Sequence, residues 1–189
     1  MCLSLTIKLY IMKKRMLLSL CLGLFSLTIA AQTTSINCET LNAVAATWKK
    51  SKFAELKGTL VGTNTAMKIS RYKLKLPMAG ALSSEVLIYP DAPDFNTVEI
   101  VLYQEATFSP TLSEKFAAIY KSLRVCVKDR QEDILSGTST GLVDADGQMP
   151  ELEFAKDGMP GITLVVEGPS ITENIYKIVL KIEASEDDE

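Results

Sequence analysis

The sequence predicts an α+β domain: two helices packed on one face of an antiparallel sheet of about five to six strands, in the order α-β-β-β-α-β-β. Three observations lead there. Two segments place apolar residues at helical spacing, Cys38-Leu41-Ala45-Trp48 and Leu112-Phe116-Ile119-Leu123-Cys126. Around them lie β-branched and aromatic runs separated by Pro, Gly and Asp turn chemistry. Neither an internal sequence repeat nor a low-complexity linker breaks the chain, so residues 32–183 read as one domain whose helices stack on its sheet.

The first helix starts after Asn37 or Ser35, either of which offers a side-chain oxygen to the free amides of the first turn. Lys49, Lys50 and Lys52 crowd its C-terminal end, where the helix dipole favours cations. Phe53 and Leu56 continue the apolar surface up to Gly58. In the extended chain that follows, Met67 and Ile69 fall on odd numbers, and Tyr72, Leu74 and Leu76 on even ones. That switch of parity predicts a bulge near Arg71 or two short strands. Val86–Tyr89 and Val98–Tyr103, joined through Pro90-Asp91-Ala92-Pro93-Asp94, read as an antiparallel hairpin. The second helix has the clearest start: Ser109 caps and Pro110 takes the first helical position. Ser136 to Gly147 reads as a loop, and a short strand near Leu152–Phe154 precedes two more at Ile162–Glu167 and Tyr176–Ile182. In the last, Tyr176, Ile178, Leu180 and Ile182 point inward, while Lys177, Lys181 and Glu183 point outward. In element order, though in no motif, this layout resembles the class I type III secretion chaperones; the resemblance implies a fold and no activity.

Residues 1–31 read as a signal peptide. Met12-Lys13-Lys14-Arg15 is a positive start, Met16 to Ile29 an apolar run, and Ala30-Ala31 a small-residue cleavage site. Met12 is the expected translation start, because Met1–Ile11 precede an ordinary signal. From Met16 to Ala31 the run is 16 residues, short of the ~20 that span a bilayer core. Cleavage leaving no transmembrane anchor is therefore expected. Leu20 before Cys21 is too bulky for a lipoprotein site. The remaining 158 residues would fold in the periplasm or be secreted. Of 20 basic and 23 acidic residues, Lys8, Lys13, Lys14 and Arg15 leave with the leader, so the mature chain has 16 against 23 and a net charge of −7. That sign disfavours nucleic acid as a partner. The last residues, 184–189, read as a disordered acidic tail.

The chain contains no histidine, which excludes Ser-His-Asp and Cys-His catalysis and histidine-ligated metals. After cleavage only Cys38 and Cys126 remain, each on the apolar stripe of its own helix. An oxidising compartment favours a disulfide between them; the alternative is two separate buried thiols. Asp144-Ala145-Asp146-Gly147 has part of a calcium-loop pattern, but a third ligand and flanking helices are missing, so Asp144 and Asp146 read as a polar turn without metal. Glu151 and Glu153 point to one side of a strand, the spacing a carboxylate hydrolase would use. Ser136-Gly137-Thr138-Ser139-Thr140-Gly141 lacks the Gly-Lys-Ser/Thr ending of a phosphate cradle. Trp48 reads as core, and Tyr72, Tyr89 and Tyr103 as residues able to share one sheet face. No residue earns a catalytic role and no cofactor is expected. The function expected is that of an exported, non-enzymatic domain binding a protein, peptide or small apolar ligand in the cell envelope. The alternatives are a carboxylate-based envelope hydrolase and an accessory subunit of an envelope assembly.

Overall fold

The computed structural model describes residues 35–138, 140, 141, 143, 148–170 and 173–184. The expected leader at 1–31 with its Met12 start, the Asp144 and Asp146 pair, and the acidic tail beyond Ala184 lie outside these residues.

Helix α1 (Cys38–Ser51) opens as its sequence dictates: the Asn37 side chain accepts from the Thr40 amide at 2.9 Å. It ends at Ser51 rather than running on to Gly58. Lys52 and Phe53 both take left-handed backbone (φ 47° and 63°), a conformation that non-glycine residues adopt only where surroundings hold them. Three contacts hold them. The Lys52 carbonyl accepts from Asn96 Nδ2 at 2.7 Å, the fully buried Phe53 ring packs 5.1 Å from Trp48, and the Lys52 ammonium lies 4.0 Å above the Trp48 ring. Asn96 itself is buried, and its Oδ1 accepts from the Tyr89 amide at 2.8 Å. One side chain thus ties the helix exit to the connecting segment from Tyr89 to Asn96.

The strands are β1 (Lys57–Asn64), β2 (Ile69–Leu74), β3 (Ser83–Ile88), β4 (Thr97–Glu105), β5 (Gln131–Ser136), β6 (Glu151–Ala155), β7 (Gly161–Glu167) and β8 (Tyr176–Glu183), with α2 (Pro110–Cys126) between β4 and β5. They form one eight-stranded antiparallel sheet in the order β1-β2-β3-β4-β8-β7-β6-β5. Eight strands, not five to six, correct the expectation. The two strands the sequence hid altogether, β1 and β5, are the two sheet edges. Both are largely exposed, so neither has a buried face to impose alternation. The observed order α-β-β-β-β-α-β-β-β-β also departs from the one on which the likeness to secretion chaperones rested.

That order is a repeat: a helix followed by a four-stranded meander, twice. Because β4 and β8 pair antiparallel at the centre, a twofold axis through this seam exchanges the two halves in topology. The correspondence reaches irregularities. A register shift lies between Leu60 and Gly62 of β1, and another 74 residues on, between Ile134 and Ser136 of β5. No sequence repeat betrays this; the repeat lives in the backbone.

Both helices lie on one face. The core joins Leu41, Val44, Trp48, Leu112, Phe116, Ile119 and Leu123 from the helices to Val86, Val98, Ile100, Leu152, Phe154, Leu164 and Leu180 from the sheet. As predicted, Ser109 caps α2 (Leu112 amide to Oγ, 3.3 Å) and Pro110 starts it. Cys38 and Cys126 form a disulfide, with Cα atoms 4.9 Å apart, linking the start of α1 to the end of α2. The irregularity expected near Arg71 lies in its neighbour strand: β2 pairs with β3 without a break from Ser70 to Lys73, whereas β1 shifts register between Leu60 and Gly62, opposite Tyr72 and Arg71. Ile69 and Leu74 are both buried, but on opposite faces of the sheet, so the parity switch records two apolar environments rather than a kink. Met67 belongs to the β1–β2 turn.

Removing the cross-link, by reduction or by the Cys38→Ser/Cys126→Ser pair, is expected to cost about 2–5 kcal/mol, read as a lower urea midpoint; an unchanged midpoint contradicts this. Asn96→Ala is expected to cost about 2 kcal/mol, because it leaves the half-buried Tyr89 amide and Lys52 carbonyl without their partner. A loss below about 0.5 kcal/mol would contradict that assignment.

Candidate functional site

Among the described residues both helices lie on one face and none covers the opposite face, across which the strand registers write a row of mostly charged residues. Lys73 stands opposite Glu85, Glu85 opposite Glu99, Glu99 opposite Lys181, Lys181 opposite Thr163, Thr163 opposite Glu153, and Glu153 opposite Asp133. Like charges facing each other across strands destabilise a sheet, and Glu85–Glu99 is such a pair. Two cations offset it. Arg71 donates to Glu85 Oε2 from Nε at 2.9 Å and from Nη2 at 2.7 Å. Lys181 sits on the other side of Glu99 and pairs with Glu167 Oε1 at 2.9 Å.

At the β2 end of this face lies a groove of about 480 Å³. Gly62, Thr63 and Asn64 of β1 form one wall, Ile69, Arg71, Leu87 and Glu99 the floor, and Glu173 and Lys177 the far wall. Residues of β1 and of the β7–β8 connection face the same space although three strands separate β1 from β8 and two separate β2 from it, so the sheet curls there. Its register shifts fit that curl, two in β1 and one in β4 between Val101 and Tyr103. Lys177 and Glu173 form an ion pair on the rim.

Burial sets the protonation behaviour of this face. It pushes the Glu99 carboxyl above its ordinary range; Lys181 pulls it back, and the charges on Glu167 and Glu85 add to the rise. Burial likewise raises Glu183. The Tyr89 hydroxyl is raised by burial and then by Glu99 and Glu183. For Lys181 burial works toward the neutral amine, but the Glu167 hydrogen bond and the Glu167, Glu99 and Glu183 charges outweigh it, and the ammonium form gains. The result is a carboxylate-lysine-carboxylate arrangement in which the ammonium form of the lysine is favoured and both carboxyls are shifted above their ordinary range.

The structure separates the three tyrosines proposed to share a face. Tyr72 and Tyr103 pack against the helix-covered core, whereas Tyr89 joins the outer carboxylates. Glu151 and Glu153 flank one residue of β6, as expected, on the outer face and away from the groove. In the Ser136–Gly141 loop, Gly141 (φ 80°) lies against α2, its carbonyl accepting from Ser113 Oγ at 2.7 Å. A Cβ there would stand 2.7 Å from the Ser113 carbonyl oxygen and 2.9 Å from the Phe116 Cβ, so this glycine anchors a loop on a helix. Among the described residues no group of three or more Cys, Asp or Glu is placed to hold a metal ion, and no helix is long and apolar enough to cross a membrane. The groove residues Arg71, Glu99, Glu173 and Lys177 escaped the sequence reading. Their trace is Glu99, the one acid in the otherwise apolar and aromatic run Val98–Tyr103. Comparison with known proteins finds no matching family model, no matching curated protein and no matching solved structure.

The folded protein binds the Glu99 proton more tightly than the unfolded chain does. Its contribution to stability is therefore present below the ordinary carboxylate range and is lost as pH rises through the elevated folded value. Glu99→Gln is expected to raise the thermal midpoint at pH 8, with the gain shrinking toward pH 4. A midpoint lowered at pH 8 would contradict the account of Glu99.

Proposed function

We propose that this chain is an exported, non-enzymatic binding module of the cell envelope, and that its groove receives an extended segment of a protein or peptide. The observation that carries this reading is the lining: cations Arg71 and Lys177 stand beside carboxylates Glu99 and Glu173 around a floor containing Ile69 and Leu87. An extended peptide presents that mixture, with apolar and charged side chains alternating along a strip. A volume of about 480 Å³ suits a few residues of such a segment, within the usual range of ligand sites. A small, wholly apolar ligand fits less well, since it would strip water from four charged groups without replacing their partners. The Cys38–Cys126 disulfide and the leader-like residues 1–31 support a location outside the reducing cytosol.

A second reading rests on Glu99. Burial raises the Glu99 carboxyl above its ordinary range, the direction in which a general acid is tuned, and this supports a glycan hydrolase as the alternative.

Selection from a displayed peptide library on the oxidised protein distinguishes the two. The expected binders carry both acidic and basic residues. Arg71→Glu and Lys177→Glu are each expected to weaken them about tenfold or more, while Glu153→Gln, outside the groove, leaves binding unchanged. Failure to select any peptide, together with glycan turnover that Glu99→Gln abolishes, would replace the first reading by the second.

A further inference from the structure

We propose that copies of this chain associate head to tail, the β1 edge of one copy meeting the β5 edge of the next. Among the described residues both strands pair on one side only. Each carries two adjacent exposed apolar residues where edge strands usually carry charge: Leu60 and Val61 at 53% and 47% exposure, and Ile134 and Leu135 at 57% and 54%. These pairs occupy equivalent positions in the two halves, each at its strand's register shift, so the same apolar step recurs at both ends of the sheet.

Charge and direction select which edges meet. From Lys57 to Ser84 the chain holds Lys57, Lys68, Arg71, Lys73 and Lys75 and no acidic residue. From Gln131 to Ala155 it holds acids, including Glu132, Asp133, Glu151 and Glu153, and no basic residue. The β1–β2 end of the sheet is therefore basic and the β5–β6 end acidic. Two β1 edges would set lysines against lysines, and two β5 edges carboxylates against carboxylates; only the mixed contact is complementary. Eight alternating strands also leave β1 and β5 running in opposite senses. A second copy laid alongside without rotation meets the first in antiparallel fashion, the better hydrogen-bonded arrangement. Such a contact uses different surfaces on its two sides and does not close on itself, so it builds open chains rather than a fixed dimer.

Sedimentation velocity of the oxidised protein over a range of concentrations tests this. At low salt the average size is expected to rise continuously with concentration, and about 0.5 M salt is expected to reverse the rise. Val61→Asp and Ile134→Asp each block one edge and are expected to be monomeric alone. Mixed, they still share one intact pair of edges and are expected to stop at dimers. Because both positions are exposed, far-UV circular dichroism should be unchanged. The Lys73→Glu/Lys75→Glu pair, which alters no apolar contact, is expected to weaken association about tenfold. A protein monomeric at every concentration and salt, or dimers formed by either Asp variant alone, would overturn the proposal.

Discussion

The rest of the structure depends on the pairing of β4 with β8. Each half of the molecule, a helix and a four-stranded meander, has an apolar face too large for its single helix to cover. At the seam the two sheets become one and the two helices become neighbours. Val98, Ile100, Leu180 and Ile182, which face one another across it, are completely buried. The disulfide closes the same joint on the helix side, linking the beginning of α1 to the end of α2. The seam also places Glu99 against Lys181, so the chemistry of the outer face follows from the pairing that builds the core.

Width explains what is left uncovered. Eight strands at ~4.8 Å spacing make a sheet ~34 Å across, whereas two helices side by side cover ~20 Å. The outermost strands then lie beyond the helices as well as being solvated on the other face. On the β5 side a polar tether compensates: Tyr120 donates to Glu132 Oε1 at 2.7 Å, and Arg124 pairs with Glu132 Oε2 at 2.9 Å, so α2 reaches out to its edge strand. Arg130 adds a second tie, donating from Nη1 to the carbonyls of Phe154 and Pro160 at 3.2 and 2.6 Å. The exposure of both edge strands therefore follows from one geometric shortfall.

Elements that touch the core were legible in the sequence, because burial imposes a period. The α2 stripe from Leu112 to Cys126 and the inward set Ile178, Leu180 and Ile182 could be read directly, and so could the Ser109 cap, whose chemistry is local; for α1 the sequence offered Asn37 or Ser35, and Asn37 is the cap. The disulfide was legible from the even cysteine count and the expected oxidising compartment, with both cysteines on apolar helical stripes that could meet. Strands β1 and β5 were not legible, since a strand exposed on both faces has no pattern to keep. The groove was hidden for another reason. Arg71, Glu99 and Lys177 come from three strands, and only cross-strand register brings them together. The α1 exit was misplaced because Lys52 and Phe53 take a left-handed backbone that glycine would normally supply, held there by Asn96 from a distant loop.

Amide hydrogen exchange of the oxidised protein tests the seam most directly. If one joint holds both halves, the β4 and β8 amides exchange most slowly, with a common free energy equal to that of global unfolding, while β1 and β5 open first. Exchange of residues 57–105 and 131–183 as two independent units, with the seam amides among the faster ones, would contradict the account.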